Sequence, residues 1–161
     1  MTDFKLSSNF SFFELTKSDT HPEFIEKNRI YGFKFKDKLV KCAEMLETVR
    51  MHFNKPLLIH SCVRCPELNK AVGSTDRSQH LLCEAIDFHI NGLADVKGID
   101  STINWLWKES KIPFGQLIGE HQGRGYIVNS WVHLSLGMPY RIKEKCLQVL
   151  SMTDGKYTRL N

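Results

Sequence analysis

The hydrophobic positions of this chain recur with a helical period in some segments and alternate as in a strand in others. Helical spacing, in which apolar side chains return every three or four residues, is clearest between Phe35 and Phe53. Helices are predicted at about 35–53, 66–72 and 99–110, with a further helix start at Ser11. Pro66 suits the first turn of the short helix and Gly73 its end. Residues 18–34 are rich in turn formers, so an irregular segment is expected there.

Short apolar runs between turn signals predict strands. These strands are predicted at 57–61, 85–90, 116–120, 125–128 and 131–136, followed by a hairpin formed by 146–152 and 157–160. The hairpin is expected to turn at Asp154-Gly155. Helices come first and strands interleaved with one helix follow. This order favours an α+β fold with a mainly antiparallel sheet and helices packed on it.

Composition and charge limit the classes of protein to consider. The chain has 161 residues, of which 42% are hydrophobic and 25% charged, so a single globular domain over residues 1–161 is expected. The formal net charge of +4 is spread along the chain, and we therefore expect no nucleic-acid partner. No apolar run is long enough for a membrane span, and the first residues lack the pattern of a secretory signal. The oligomeric state is left open.

The segment Ser78–His89, with the sequence SQHLLCEAIDFH, combines several groups that can bind a metal. On a strand over 85–90, Asp87 and His89 share a face because side chains alternate. His80 can reach Asp87 only if the chain bends between them. A histidine on a loop and a carboxylate on a strand are common ligands of catalytic zinc. Polar groups satisfied by ordinary hydrogen bonds remain the alternative at this point.

A second strand, around Trp131-Val132-His133, carries another histidine. A strand histidine with apolar neighbours is most often part of the core. As a third ligand, His133 would leave the fourth zinc position to water, which is the catalytic arrangement. Glu120 ends a neighbouring predicted strand and is a candidate base for that water. Considered by itself, Glu120 is interpreted as a surface carboxylate at a turn.

Arginine and cysteine residues follow the first predicted strand. The planar guanidinium of Arg64 suits a substrate carboxylate or a developing oxyanion. Cys62 and Cys65 form a Cys-x-x-Cys pair, for which a redox role is an alternative to simple burial. Five cysteines in a chain of this length indicate reduced thiols. A thiolate from Cys83 would compete for zinc, whereas a small buried residue is the plainer interpretation.

Four motifs in order carry a family resemblance: Ser-x-x-Arg-x-Pro-Glu-Leu-Asn, Ser-x-His-x6-Asp, Gln-Leu-Ile-x-Glu and Trp-Val-His-x-Ser. In this order they resemble the zinc D-Ala-D-Ala carboxypeptidases, in particular the small single-domain phage-type branch of the hedgehog/DD-peptidase fold group. The likeness covers nearly the whole chain. Relatives usually carry glycine where this chain has Cys62 and Cys83. In several relatives the base lies nearer the last histidine, where this chain has Ser130.

The resemblance implies a zinc peptidase that hydrolyses stem peptides of bacterial peptidoglycan, as a D-Ala-D-Ala carboxypeptidase or an endopeptidase. It implies the following roles: zinc ligation by His80, Asp87 and His133, proton transfer by Glu120, carboxylate or oxyanion binding by Arg64, and a site-lining position for Ser78. His89, which shares the strand face of Asp87, is a candidate to orient a ligand without binding zinc, and a plain surface or core role is the alternative. The resemblance further suggests a phage-encoded endolysin or virion protein, made in the cytoplasm and released to the wall. The alternative is a non-catalytic, zinc-containing binding or virion-structural module of the same fold.

Overall fold

A computed structural model describes residues 1–124, 127–136, 148–153 and 155–159. Its helices are α1 Phe12–Leu15, α2 Ile25–Phe33, α3 Lys36–Phe53, α4 Pro66–Ala71 and α5 Val96–Lys108, with a 3-10 helix at Pro22–Phe24. Its strands are β1 Leu57–Ser61, β2 Ala85–Ile90, β3 Phe114–Arg124, β4 Ile127–Leu136, β5 Gln148–Thr153 and β6 Lys156–Arg159. The predicted positions 125, 126, 146, 147, 154 and 160 lie outside the described residues. No helix in the described ranges is long and apolar enough to cross a membrane.

Six strands form one sheet in the order β1-β2-β4-β3-β5-β6. β3 pairs with β4 and β5 with β6 in antiparallel fashion, whereas β3 and β5 run parallel. The α+β class with a mainly antiparallel sheet is therefore confirmed. The short strands predicted over 116–136 belong to two longer strands, because β3 and β4 continue pairing as far as Arg124 and Ile127.

The prediction of an irregular segment over 18–34 is wrong, because α2 occupies Ile25–Phe33. This helix buries the polar Asn28 and leaves Ile30 58% exposed, so no apolar stripe marks it in the sequence. Asn28 explains how the helix is held. Its side-chain amide donates to the carbonyls of Thr16 and Val63 at 2.9 Å each, and its oxygen accepts from the N–H of Cys65 at 2.7 Å.

Contacts divide the chain into two units, Met1–Asn54 with Ile59–Ile86 and Lys55–Leu58 with Asp87–Asn161. In the first unit, α3 buries Leu39, Leu46 and Val49 completely, as its helical pattern predicts. The expected single domain over residues 1–161 stays a prediction.

In the second unit, α5 packs against β3 and β4. The carboxylate of Asp95 caps this helix by accepting from the N–H of Gly98 at 2.8 Å, which is why it begins before the predicted residue 99. Ile99 and Ile103 lie under the sheet at Gly119, where a Cβ atom would stand 3.4 Å from both side chains. The face of β3 that carries Gly119 therefore belongs to the core, and the opposite face carries Glu120.

Candidate metal centre

His80 lies in a tight turn before β2, where the sequence predicts a bend. The N–H of Leu81 donates to the carbonyl of Ser78, and that of Cys83 to the carbonyl of His80, at 3.2 Å each. Cys83 has φ = 53°, in the left-handed region that favours glycine. The glycine expected from the family resemblance therefore has a conformational reason, and Cys83 adopts the same conformation at some cost in strain.

Two side chains from α2 and α3, in the same unit as the turn, hold it in place. The hydroxyl of Tyr31 donates to the carbonyl of Leu81 at 2.8 Å. The ammonium of Lys38 lies 2.6 Å from the carboxylate of Glu84, whose side chain is only 6% exposed. A buried carboxylate needs such a partner. The turn is thus anchored at both ends of its apolar segment.

The imidazole of His80 is buried and its orientation is fixed by the backbone. Its Nδ1 atom lies 2.9 Å from the carbonyl oxygen of Cys62. Because a carbonyl only accepts, Nδ1 carries the hydrogen and Nε2 keeps a lone pair for a metal. Ser78, predicted to line the site, accepts from the backbone N–H of His80 at 3.3 Å through its hydroxyl oxygen.

Arg64 is linked to the same turn through its backbone. Its N–H donates to the carbonyl of His80 at 3.2 Å, and its Nε donates to the hydroxyl of Ser61 at 2.8 Å. The side chain is half-buried. These contacts fix the backbone of Arg64 and the Nε end of its side chain. A guanidinium group that binds an anion through two parallel hydrogen bonds must be held in one orientation.

Asp87 and His133 come together within the second unit. Asp87 Oδ1 lies 2.8 Å from His133 Nδ1, and the two side chains are 8% and 10% exposed. In β2 the residues Ile86, Phe88 and Ile90 are fully or almost fully buried on the other face, as alternation predicts. The strand thus turns its apolar residues into the core and places Asp87 opposite them.

One ligand atom from each of His80, Asp87 and His133 lies within 4.8 Å of the other two, and all three residues are buried. A zinc ion with bonds of roughly 2.0–2.1 Å holds its ligand atoms about 3–4 Å apart. Two imidazoles and one carboxylate are a donor set that zinc accepts, and three protein ligands leave one position open. The three residues therefore fit a catalytic zinc ion.

Glu120 in β3 lies on the same face of the sheet as His133 in β4. Ile118 pairs with His133 and Glu120 with Trp131, so all four side chains share one face of the sheet. Glu120 is half-buried. Diagonal neighbours on paired strands lie about 7–8 Å apart, which places Glu120 and His133 on adjoining positions of the same face. The structure is thus compatible with the predicted base.

The opposite face of the same two strands carries a polar cluster that the sequence did not reveal. His121 Nδ1 lies 2.9 Å from Ser130 Oγ, and His121 Nε2 lies 3.6 Å from the carboxylate of Asp100 in α5. Both His121 and Ser130 are buried. Ser130, which stands where several relatives have the base, therefore points away from the face of Glu120 and His133.

Two of the buried cysteines have raised thiol pKa values. Burial, followed by the neighbouring Cys42, raises the pKa of the Cys83 thiol to about 12, so this thiol is protonated at neutral pH. Burial also raises the pKa of Cys65. Within the described residues, the group able to hold a metal contains no cysteine. Neither thiol has the lowered pKa that marks a reactive cysteine.

His89 is half-buried, and by alternation it shares a strand face with Asp87. It is not one of the three grouped ligands. Its expected role in orienting a ligand stays a prediction.

The comparison with known families agrees with this geometry. A family model described as peptidase M15 matches residues 10–135. The chain belongs to the peptidase M15 family. Members of this family are zinc metallopeptidases, and their general substrate is peptidoglycan. No curated protein matches the chain. The resemblance to the zinc D-Ala-D-Ala carboxypeptidases is confirmed at the level of this family, and the match includes every residue assigned a role above.

Proposed function

We propose that this M15 protein hydrolyses peptide bonds in the stem peptides of bacterial peptidoglycan, as a carboxypeptidase or an endopeptidase. The observation that carries the proposal is the approach of His80, Asp87 and His133, whose ligand atoms lie within 4.8 Å of one another. The ligand set and the family together favour zinc. A zinc ion held there would polarise a scissile carbonyl and lower the pKa of a water molecule.

A neighbouring group positions each of the proposed zinc ligands. His80 Nδ1 lies at hydrogen-bond distance from the carbonyl of Cys62, so Nε2 would be the atom that binds the metal. Asp87 and His133 already lie at hydrogen-bond distance, so little movement is needed to bring both to one ion. Burial of all three excludes competing water from the ligand atoms.

Glu120 is proposed as the proton carrier of the reaction. Its carboxylate would accept a proton from the attacking water and pass it to the leaving amine. The position of Glu120 beside Trp131, on the face of His133, supports this role. Half-burial leaves the carboxylate accessible to a substrate.

Arg64 is proposed to bind a carboxylate of the peptide or the oxyanion that forms during hydrolysis. Its Nε hydrogen bond to Ser61 supports the role because it limits the directions that the guanidinium can take. A planar fork held in this way donates to two oxygens at once. Ser78, which accepts from the N–H of His80, is proposed to line the same site.

Digestion of purified peptidoglycan tests the function. The zinc-loaded protein is expected to release either free D-alanine or shortened stem peptides, identified by mass spectrometry. The variant Glu120→Gln should lose this release while retaining zinc, and Glu44→Gln, which changes an exposed carboxylate of α3, should not. Zinc-loaded protein that binds peptidoglycan but releases nothing would contradict the proposal and favour the non-catalytic binding module.

The phage origin remains a proposal of its own. We propose that the protein acts as an endolysin or a virion component, since peptidoglycan lies outside the compartment of synthesis. Its presence in purified virions, detected by mass spectrometry, or host lysis that depends on a holin would support this route. Detection in neither setting would contradict it.

A further inference from the structure

Four paired residues form a continuous row across the second unit's part of the sheet. Glu120 in β3 pairs with Trp131 in β4 on one side and with Met152 in β5 on the other. Met152 in turn pairs with Tyr157 in β6. Because directly paired residues point to the same side of a sheet, Tyr157 shares the face of Glu120 and Trp131. That face also carries His133, two residues after Trp131.

Exposure differs sharply between the last two residues of this row. Met152 is 5% exposed, whereas Tyr157 is 62% exposed. An aromatic side chain on an edge strand is thus open to solvent on the same face as the proposed base. Large exposed aromatic side chains with a polar tip are well suited to contact a ligand, since few rotatable bonds must be ordered.

The phenol lies within electrostatic reach of the site. The pKa of Tyr157 is raised by burial of part of the ring, and further by the negative charges of Glu120 and Asp87. In the sheet order only β5 separates β6 from β3, so Tyr157 and Glu120 lie two strands apart on the same face. With its pKa above the usual value, the hydroxyl keeps its hydrogen at neutral pH and is a donor.

We propose that Tyr157 is a substrate-binding residue of this site, whose hydroxyl donates a hydrogen bond to a carbonyl oxygen of the bound peptide. This inference rests on the proposed function, because it takes the substrate to be a peptide laid across the face of His133 and Glu120. Carbonyl oxygens are the regular acceptors of a peptide chain, and a protonated phenol supplies the matching donor. The hairpin of β5 and β6, which lies beyond the family match, thus forms one side of the binding site.

Binding of a muropeptide with a complete stem pentapeptide tests the inference without relying on turnover. The titration is done with zinc-loaded Glu120→Gln protein, with and without Tyr157→Phe. Loss of one hydrogen bond is expected to raise the Kd about threefold to tenfold. The matched control is Thr158→Val, which removes a hydroxyl from the next residue of β6 on the opposite face and should leave the Kd within twofold. Zinc content should be the same in all variants.

Turnover separates the inference from the proposed function. In the otherwise unchanged protein, Tyr157→Phe should raise KM by the same factor and leave kcat within twofold. If the protein cleaves the muropeptide and Tyr157→Phe changes neither KM nor Kd, the inference is overturned and the function stands. If the Kd rises in Tyr157→Phe but the parent protein never cleaves, the function is overturned and the inference stands. If the muropeptide does not bind at all, both are overturned.

Discussion

His133 Nδ1 lies 2.8 Å from Asp87 Oδ1, although 46 positions separate the two residues in the chain. This contact depends on the pairing of β2 with β4 in the sheet order. It joins an imidazole and a carboxylate that are both nearly inaccessible to solvent. A buried pair of this kind is costly unless it is well compensated, and a metal ion bound by both groups would provide that compensation.

The first prediction concerns the ligands. His133→Ala and Asp87→Asn should each reduce bound zinc from one ion per chain to a small fraction, because each removes a donor or its charge. The measurement is elemental analysis after dialysis against a weak chelator. His89→Gln should keep the ion but lower its affinity about 10-fold to 100-fold, as expected for a residue that orients a ligand. Full zinc content in His133→Ala would contradict the ligand assignment.

The second prediction concerns Cys83. Cys83→Gly should keep one zinc ion and full activity, because the thiol is protonated and glycine accepts the positive φ. Cys83→Val should lower the free energy of unfolding by about 1–2 kcal/mol, since a branched side chain is strained there. Elemental analysis and a turnover assay check the glycine variant, and chemical denaturation checks the valine variant. Loss of zinc from the glycine variant would show that Cys83 is a ligand.

The third prediction concerns the buried cluster on the other face of β3 and β4. Ser130→Ala removes the partner of His121 Nδ1 and should lower the free energy of unfolding by about 1–3 kcal/mol. Zinc content and KM should stay unchanged, because Ser130 faces away from His133. Ser135→Ala is an unsuitable control, since its hydroxyl accepts from the N–H of Gln116. Thr158→Val on the exposed edge strand serves instead and should change stability little. A large loss of activity in Ser130→Ala at unchanged stability would be the opposing result.

The fourth prediction concerns Arg64. Arg64→Lys keeps the charge but loses the fork that donates to two oxygens, so KM should rise about tenfold at unchanged zinc content. Steady-state kinetics on a defined stem peptide measures the change. Lys27→Arg, which alters an exposed cation paired with Glu67, is the control and should behave like the parent protein. An unchanged KM in Arg64→Lys would remove Arg64 from the binding site.

Sequence patterns predicted some elements well for identifiable reasons. The apolar spacing of α3 gave its bounds to within a residue, because the helix buries one continuous stripe. The helix α2 escaped prediction because the buried amide of Asn28, and not an apolar stripe, fixes it.

The residues of the candidate site were likewise predictable only in part. His80, Asp87 and His133 were recognisable from motif order, and the structure brings them together. The positions of Tyr157 and of the His121–Ser130 pair depend on strand register, which no local pattern records.

The most direct test is a crystal structure with anomalous scattering measured at the zinc absorption edge. We expect one strong peak within bonding distance of a His80 nitrogen, an Asp87 oxygen and a His133 nitrogen. A peak bound instead by Cys83, or by Cys62 and Cys65, or the lack of any peak in crystals grown with zinc, would contradict that expectation.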